Sequence, residues 1–372
     1  PEPVTVTLEV DRKGDGKWET LRRFVVDRSL IHIFDDTERG AWVRARVDSD
    51  VKAATVHFQY RNKDSRGPDN SPIFDALAKV GEPARARGVM RSNRKVLSMI
   101  DDGRYYELND RLELAEPEST TDQELVVEAA QPRSEIRVDD ASVIIFEDRR
   151  TYRLPKNPAF KLPSELPIKD EAAESPKSQS LEYPRICREV ATERDLLNIH
   201  GTFYELPARN AQGFAKIRPI ATHNLAIHDF ASHFGILFLT GLKDTKPGDH
   251  VVSSADGRTA VWAGAFDDLW QLGKPRGEGG VWNQAKVRAG VPSDPYLMTG
   301  YDRKSVRLQS DTDTTIKLEV DIDGTNLWVP YKEFPLKAGE TLVHEFPEGF
   351  SAYWVRATSS ANAVATAMFT YE

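Results

Sequence analysis

Only one cysteine, Cys187, occurs in 372 residues. It excludes an internal disulfide, and with no second thiol there is no thiolate cluster to hold a metal. No apolar run approaches the roughly 20 residues that a membrane-crossing helix needs. Excess positive charge is also missing: 50 Lys and Arg face 58 Asp and Glu, a formal net charge of −8. Because phosphate binding depends on clustered cations, this balance argues against a general nucleic-acid partner. The opening PEPVTVTLEV has neither the basic start nor the apolar core of a leader, so the expectation is a signal already removed or an upstream segment missing. Helical periodicity is scarce, and SPIFDALAKV (71–80) is the best candidate for a short surface helix. What the chain has in quantity is turn formers, 22 Pro and 23 Gly, in an otherwise ordinary soluble composition.

The chain also repeats itself. LEVDRKGDGKW (8–18) returns as LEVDIDGTNLW (318–328), LIHIF (30–34) as LVHEF (342–346), WVRARVDS (42–49) as WVRATSSA (354–361), and ATVHFQY (54–60) as ATAMFTY (365–371). The offset stays at 310 to 312 throughout. Each copy alternates apolar and polar residues in short runs rich in Val, Thr and aromatics, split by Asp/Gly turns, and so reads as a small antiparallel sheet. Between the copies a weaker signal recurs in MIDDGRYYEL, IFEDRRTYRL, NIHGTFYEL and SADGRTAVW, each a strand, a tight turn and a strand bearing an aromatic. Those aromatics, Tyr106, Tyr152, Tyr204 and Trp262, fall 46, 52 and 58 residues apart. A period near fifty is that of a propeller blade.

Six such steps account for the terminal offset, so the sequence predicts an all-β protein, a seven-bladed β-propeller formed as one domain over 1–372. The copies 4–60 and 315–371 become the first and last blades, side by side, with Trp18, Phe58, Trp328 and Phe369 in the closing contact. Seven blades of four strands need roughly 340 residues, which the length accommodates. Two β-sandwich modules flanking a middle domain are the alternative. Three excursions are expected to run over the surface: 61–95, with nine Lys or Arg against four acids; 115–140, with eight acids; and the Pro-rich 155–180.

With these blades in view, the stretches REVATERDLLNIHGTFYELP (188–207), IRPIATH (217–223) and DDLWQLGKPRGEGGVWN (267–283) resemble the large secreted bacterial β-propeller proteins of polysaccharide degradation, uronic-acid lyases and glycosidases. The resemblance implies an acidic glycan as partner, a secreted or periplasmic location and action on the glycan by β-elimination or hydrolysis. A noncatalytic carbohydrate-binding or cell-surface scaffold is the alternative. A monomer is expected.

Candidate chemistry follows from residue types near turns. A lyase needs a cation to neutralise a uronate carboxylate, a base for the C5 proton and an acid for the leaving oxygen. Arg218, His223 or His200, and Tyr204 are the right types for those tasks, with His223 expected on an exposed loop beside Arg218. The bland alternative is a strand, GTFYELP, whose Tyr merely packs. In THNLAIHDFASHFG, successive histidines five apart diverge on a helix or a strand; His228 and His233 therefore read as structural. No cofactor is predicted, and irregular geometry alone leaves a divalent metal open. The stretch LGKPRGEGGVW offers Lys274 and Arg276 as charges, and Trp270 and Trp282 as flat faces for a sugar ring, with Arg188 as a further cation. It equally suits a long turn held by tryptophan packing. For hydrolysis, the carboxylates Glu189, Glu193, Glu205, Asp229, Asp267 and Asp268 are candidates.

Overall fold

The computed structural model describes residues 2–60, 63–85, 88–91, 96–117, 136–147, 149–159, 187–191 and 194–372. Most of the expected excursions 115–140 and 155–180 lie outside them. The described chain is all-β and organised in six sheets. Sheet A holds Val4–Asp11 between Glu19–Val26 and Trp42–Val47. Sheets B, C and D have four antiparallel strands each. Sheet B is built from Gly88–Arg91, Leu97–Asp101, Arg104–Leu108 and Leu114–Ala115. Sheet C is built from Cys187–Ala191, Arg194–Ile199, Thr202–Pro207 and Arg218–Thr222. Sheet D orders Phe230–His233, Ile236–Leu239, Ala260–Gly264 and Val251–Ser253.

Two further sheets, of seven and four strands, complete the pairing among the described residues. Sheet E has seven strands, running from Trp328–Leu336 through Thr314–Asp321, Trp354–Ser359 and Tyr296–Leu297 to Arg150–Leu154, Val143–Glu147 and Ile136–Val138. Sheet F sets Ala363–Tyr371 between Gly277–Val287 and Lys304–Ser310, with Thr341–Glu345 at its edge.

The fifty-residue signal lands on four hairpins in four different sheets, B, E, C and D. The recurring aromatics Tyr106, Tyr152, Tyr204 and Trp262 are all buried. Local chemistry sets the turns: Asp102-Gly103, His200-Gly201 and Phe234-Gly235 have positive φ at both residues, the two-residue geometry whose twist matches that of antiparallel strands. Shared cores then order the sheets. Val89, Met99 and Tyr106 of B pack with Phe238 and Val261 of D. Phe230 and Trp262 of D pack with Leu196 and Phe203 of C. Leu197, Ile199 and Tyr204 of C pack with Val143 and Tyr152 of E and with the inner faces of E and F.

The terminal repeat is structural. Sheet A reproduces the Trp328–Leu336, Thr314–Asp321, Trp354–Ser359 part of sheet E in strand order, and both carry a bulge at the equivalent step, Leu8/Glu9 and Leu318/Glu319. The C-terminal copy is not one small sheet as expected, because Thr341–Glu345 and Ala363–Tyr371 leave for sheet F, where Lys304–Ser310 and Gly277–Val287 pair with them. Residues of sheets E and F share one core. In the N-terminal copy the corresponding 30–34 and 54–60 are not strands. The four rings expected in one closing contact have different surroundings: Phe369 is buried near Tyr296 and Phe346, Phe58 neighbours Phe34, and Trp18 and Trp328 each lie under an arginine.

The helix expected over 71–80 is a single 3-10 turn, Pro72–Phe74. Tertiary pairing overrides the helical pattern, since Leu77 and Lys79 form bridges to Leu242 and Leu225 while Phe74 stacks on Trp262. Among the described residues no helix is long and apolar enough to cross a membrane.

Candidate functional site

The residues expected to act together lie at opposite ends of sheet C. Thr202 pairs with Thr222, whereas Glu205 pairs with Arg218; three residues of strand put roughly 10 Å between those levels. His200 and His223 belong to the first end and Arg218 to the other. His223 is 1 % exposed rather than displayed on a loop. Its Nδ1 accepts from the Leu225 amide at 3.1 Å, and its Nε2 lies 3.2 Å from Asn198 Oδ1, which fixes the proton on Nε2. Burial pushes its pKa down to about 3. The ring is thereby held neutral, as buried imidazoles with satisfied nitrogens are.

His200 is in the left-handed turn conformation that joins two strands, accepts from the Asn157 amide at Nδ1, 3.1 Å, and is pushed by burial to about 4. Tyr204 points into the core, fully buried, and burial raises its phenol to about 12. Arg218 is exposed but bound through Nε and Nη2 to Glu205 Oε2 at 2.8 and 2.5 Å.

The glycine-rich stretch is also only partly an open surface. Trp282, expected as a face for a sugar ring, is buried in the core of sheets E and F. The backbone of Lys274 bonds to Gly67, and that of Arg276 exchanges hydrogen bonds with the Thr222 hydroxyl. Trp270 is half-buried, its carbonyl accepting from Arg66. Arg188 lies in sheet C, with its side chain outside the described residues. Among the described residues no group of three or more His, Cys, Asp or Glu is placed to hold a metal ion.

A different set of residues forms a groove of about 310 Å³ where the C-terminal copy meets strand Arg150–Leu154 and the 3-10 turn Gly213–Lys216. One wall is the turn 321–328. The Asp321 carboxylate ends its strand and folds the turn back by accepting from the Gly324 and Asn326 amides at 2.9 and 2.7 Å, a side-chain turn of the kind Asp makes. Gly324, at φ +73°, is required there: a Cβ would lie 2.8 Å from the Ala215 carbonyl oxygen. The turn delivers Trp328, half-buried, with the Arg356 guanidinium 4.4 Å from its ring centre. Arg356 is aimed by Glu319, which also takes Lys317 at 3.1 Å. Burial pushes the Glu319 carboxyl up, but those cations outweigh it and hold it below its ordinary range.

The floor is Trp354, 2 % exposed, packed on Tyr152 at 4.9 Å and donating Nε1 to the Ala215 carbonyl at 2.9 Å. The opposite wall brings exposed Arg150 and the Asp294 carboxylate, which accepts from Arg153 at 3.2 Å. Burial holds the Asp321 carboxyl above its ordinary range despite its two amide donors. The lining brings together an indole, the Arg150 and Arg356 guanidiniums and hydrogen-bonding carboxylates, the equipment for gripping a polar ring-shaped molecule. Sequence reasoning placed Trp328 in a closing contact and missed this groove, because Arg150, Ala215, Asp294 and Trp328 come from four distant segments. The repeated Asp-to-Trp turn was the one signal pointing at it.

No family model matches the chain, and no curated protein matches it. Among solved structures, a glycoside hydrolase aligns over 74% of this chain and 81% of that chain at 10% identity. The TM-score of that alignment is 0.16.

Proposed function

We propose that the chain is a secreted or periplasmic carbohydrate-binding protein that takes an acidic saccharide into the Trp328 groove. The observation that carries this reading is the Trp328 ring standing in a groove with Arg150 and Arg356. A sugar ring lies against the indole, and Arg150 pairs with a uronate carboxylate, to which a guanidinium is geometrically matched. The four hairpins with buried aromatics support reading sheets B, D and C and strands 136–154 as propeller blades, with the C-terminal copy as a sandwich joined to them.

A second reading, glycoside hydrolysis, draws on Asp294 and Asp321. Both carboxylates line the groove, Asp294 accepting from Arg153 and Asp321 from its own turn's amides, and a pair of carboxyl groups is what glycoside hydrolysis uses. The β-elimination reading at His223 loses its support in a ring that takes no proton near neutral pH. Titration with uronate oligosaccharides tests the binding: Trp328→Ala or Arg150→Ala should weaken the groove at least tenfold, with the melting temperature little changed in Arg150→Ala, whose side chain is exposed. Incubation with uronic-acid polysaccharides, followed by reducing ends and by the absorbance of unsaturated products, tests the chemistry. New reducing ends that vanish in Asp294→Asn would favour hydrolysis, and unchanged binding in both groove variants would sink the proposal.

A further inference from the structure

The internal repeat carries the groove's recognition elements twice. In sheet A, Asp11 accepts from the Gly14 and Gly16 amides at 2.8 Å each, as Asp321 does in its own turn. That turn delivers Trp18, with the Arg44 guanidinium 4.0 Å from its ring, and Arg44 Nε donates to Glu9 Oε2 at 2.6 Å. Position for position this is Trp328, Arg356 and Glu319 again. The surroundings differ. Trp354 is buried against Tyr152 and Ala215, whereas its counterpart Trp42 is 65 % exposed.

The outer face of sheet A also gains charge that the C-terminal copy lacks. Arg46 and Arg23 flank Thr7 in one cross-strand row, and Arg44 and Trp42 follow on the same side of the neighbouring strand. Thr358 stands where Arg46 does in the repeat. Glu9 is the carboxylate among these cations, and its two oxygens already face Arg44 and Arg46. Exposed Trp42, half-buried Trp18 beneath Arg44, and the guanidiniums of Arg23, Arg44 and Arg46 therefore lie along one sheet face.

From this duplication we infer that the outer face of sheet A is a second binding platform for an acidic saccharide, so that one chain engages the polymer at two points. The inference rests on the proposed reading of the groove. Charge complementarity favours an anionic ligand, and the repeated indole favours one with ring faces to stack. The two sites need not match in affinity, because the groove has walls and the platform has none. Joined on one chain, they raise the apparent affinity for a long polymer above that for a short oligomer, as linked sites do.

The test uses the full chain and calorimetric titration with a uronate oligosaccharide, an uncharged oligosaccharide of equal length and a DNA duplex. The wild type should bind two uronate oligosaccharides. Trp18→Ala should leave only the groove's site, Trp328→Ala only the platform's, and the double variant none. Arg46→Glu, at an exposed position, is the second probe and should weaken the platform at least tenfold while the groove titrates as before. One uronate site per chain, abolished by Trp328→Ala and indifferent to Trp18→Ala and Arg46→Glu, would overturn the inference and leave the groove's reading standing. No uronate binding by the wild type would overturn both. DNA or the uncharged sugar bound at the platform as tightly as the uronate would overturn the saccharide assignment there.

Discussion

Acidification should destabilise this protein through His223, by an amount the structure sets. The ring's ordinary pKa of 6.5 is pushed to about 3 by burial, in a site that leaves it 1 % exposed. Above pH 6.5 the ring is neutral in both folded and unfolded states, and the shift costs nothing. As pH falls below 6.5 the unfolded chain takes up a proton that the folded chain refuses until near pH 3. Stability therefore drops through that window at about 1.4 kcal/mol per pH unit from this ring alone. Between pH 6.5, where the unfolded ring is already half-protonated, and pH 4.5 the loss is about 2.3 kcal/mol, a large share of the roughly 5–15 kcal/mol that holds a typical domain folded.

The perturbation is His223→Gln, which keeps a polar side chain between Asn198 and the Leu225 amide but does not titrate. Urea unfolding at pH 6.5 and 4.5 gives the acid-induced loss for each protein, and the variant should lose about 2.3 kcal/mol less than the wild type. The comparison of slopes matters, not the absolute stability, since the substitution itself costs some packing. His200, also depressed by burial, contributes equally to both proteins and cancels. Equal acid sensitivity in the two would refute the buried neutral ring, and with it the argument that His223 is scaffold.

Two further outcomes check the framework around the groove. Gly280→Ala should cost at least about 3 kcal/mol, because a Cβ there would lie 2.0 Å from the Ala367 carbonyl oxygen across the pairing of Gly277–Val287 with Ala363–Tyr371; a melting temperature within a degree of wild type would contradict that pairing. Trp354→Phe retains a ring against Tyr152 but strands the Ala215 carbonyl, an expected loss of about 1–3 kcal/mol in chemical denaturation, accompanied by weaker saccharide binding.

The parts of the fold legible in the sequence were those written locally. The hairpins were legible because each joins a turn signal to a buried aromatic, through two-residue turns at 102–103 and 200–201 and a longer connection at 254–259, and strand register follows from alternation once the turn is placed. The terminal repeat was legible for the same reason, down to the Asp-to-Trp turn. Sheet membership was not. Whether residues 341–345 and 363–371 join the sheet of their own copy or a second one depends on 277–287 and 304–310, which have no counterpart in the repeat. The histidines misled because a turn residue and a surface residue look alike in sequence: His200 does occupy the expected turn, yet neighbouring sheets close over it and over His223.

Sheet E joins the Arg150–Leu154 hairpin to the C-terminal copy through a parallel pair, Arg153 with Tyr296, and a common core lies beneath both. The groove straddles that seam, so its walls are not carried on separate bodies with a hinge between them. A ligand entering it meets indole, guanidinium and carboxylates already in position and spends little of its binding free energy on closing the site. Fast, single-step association, with no slow closing phase, is the kinetic behaviour that such a weld dictates.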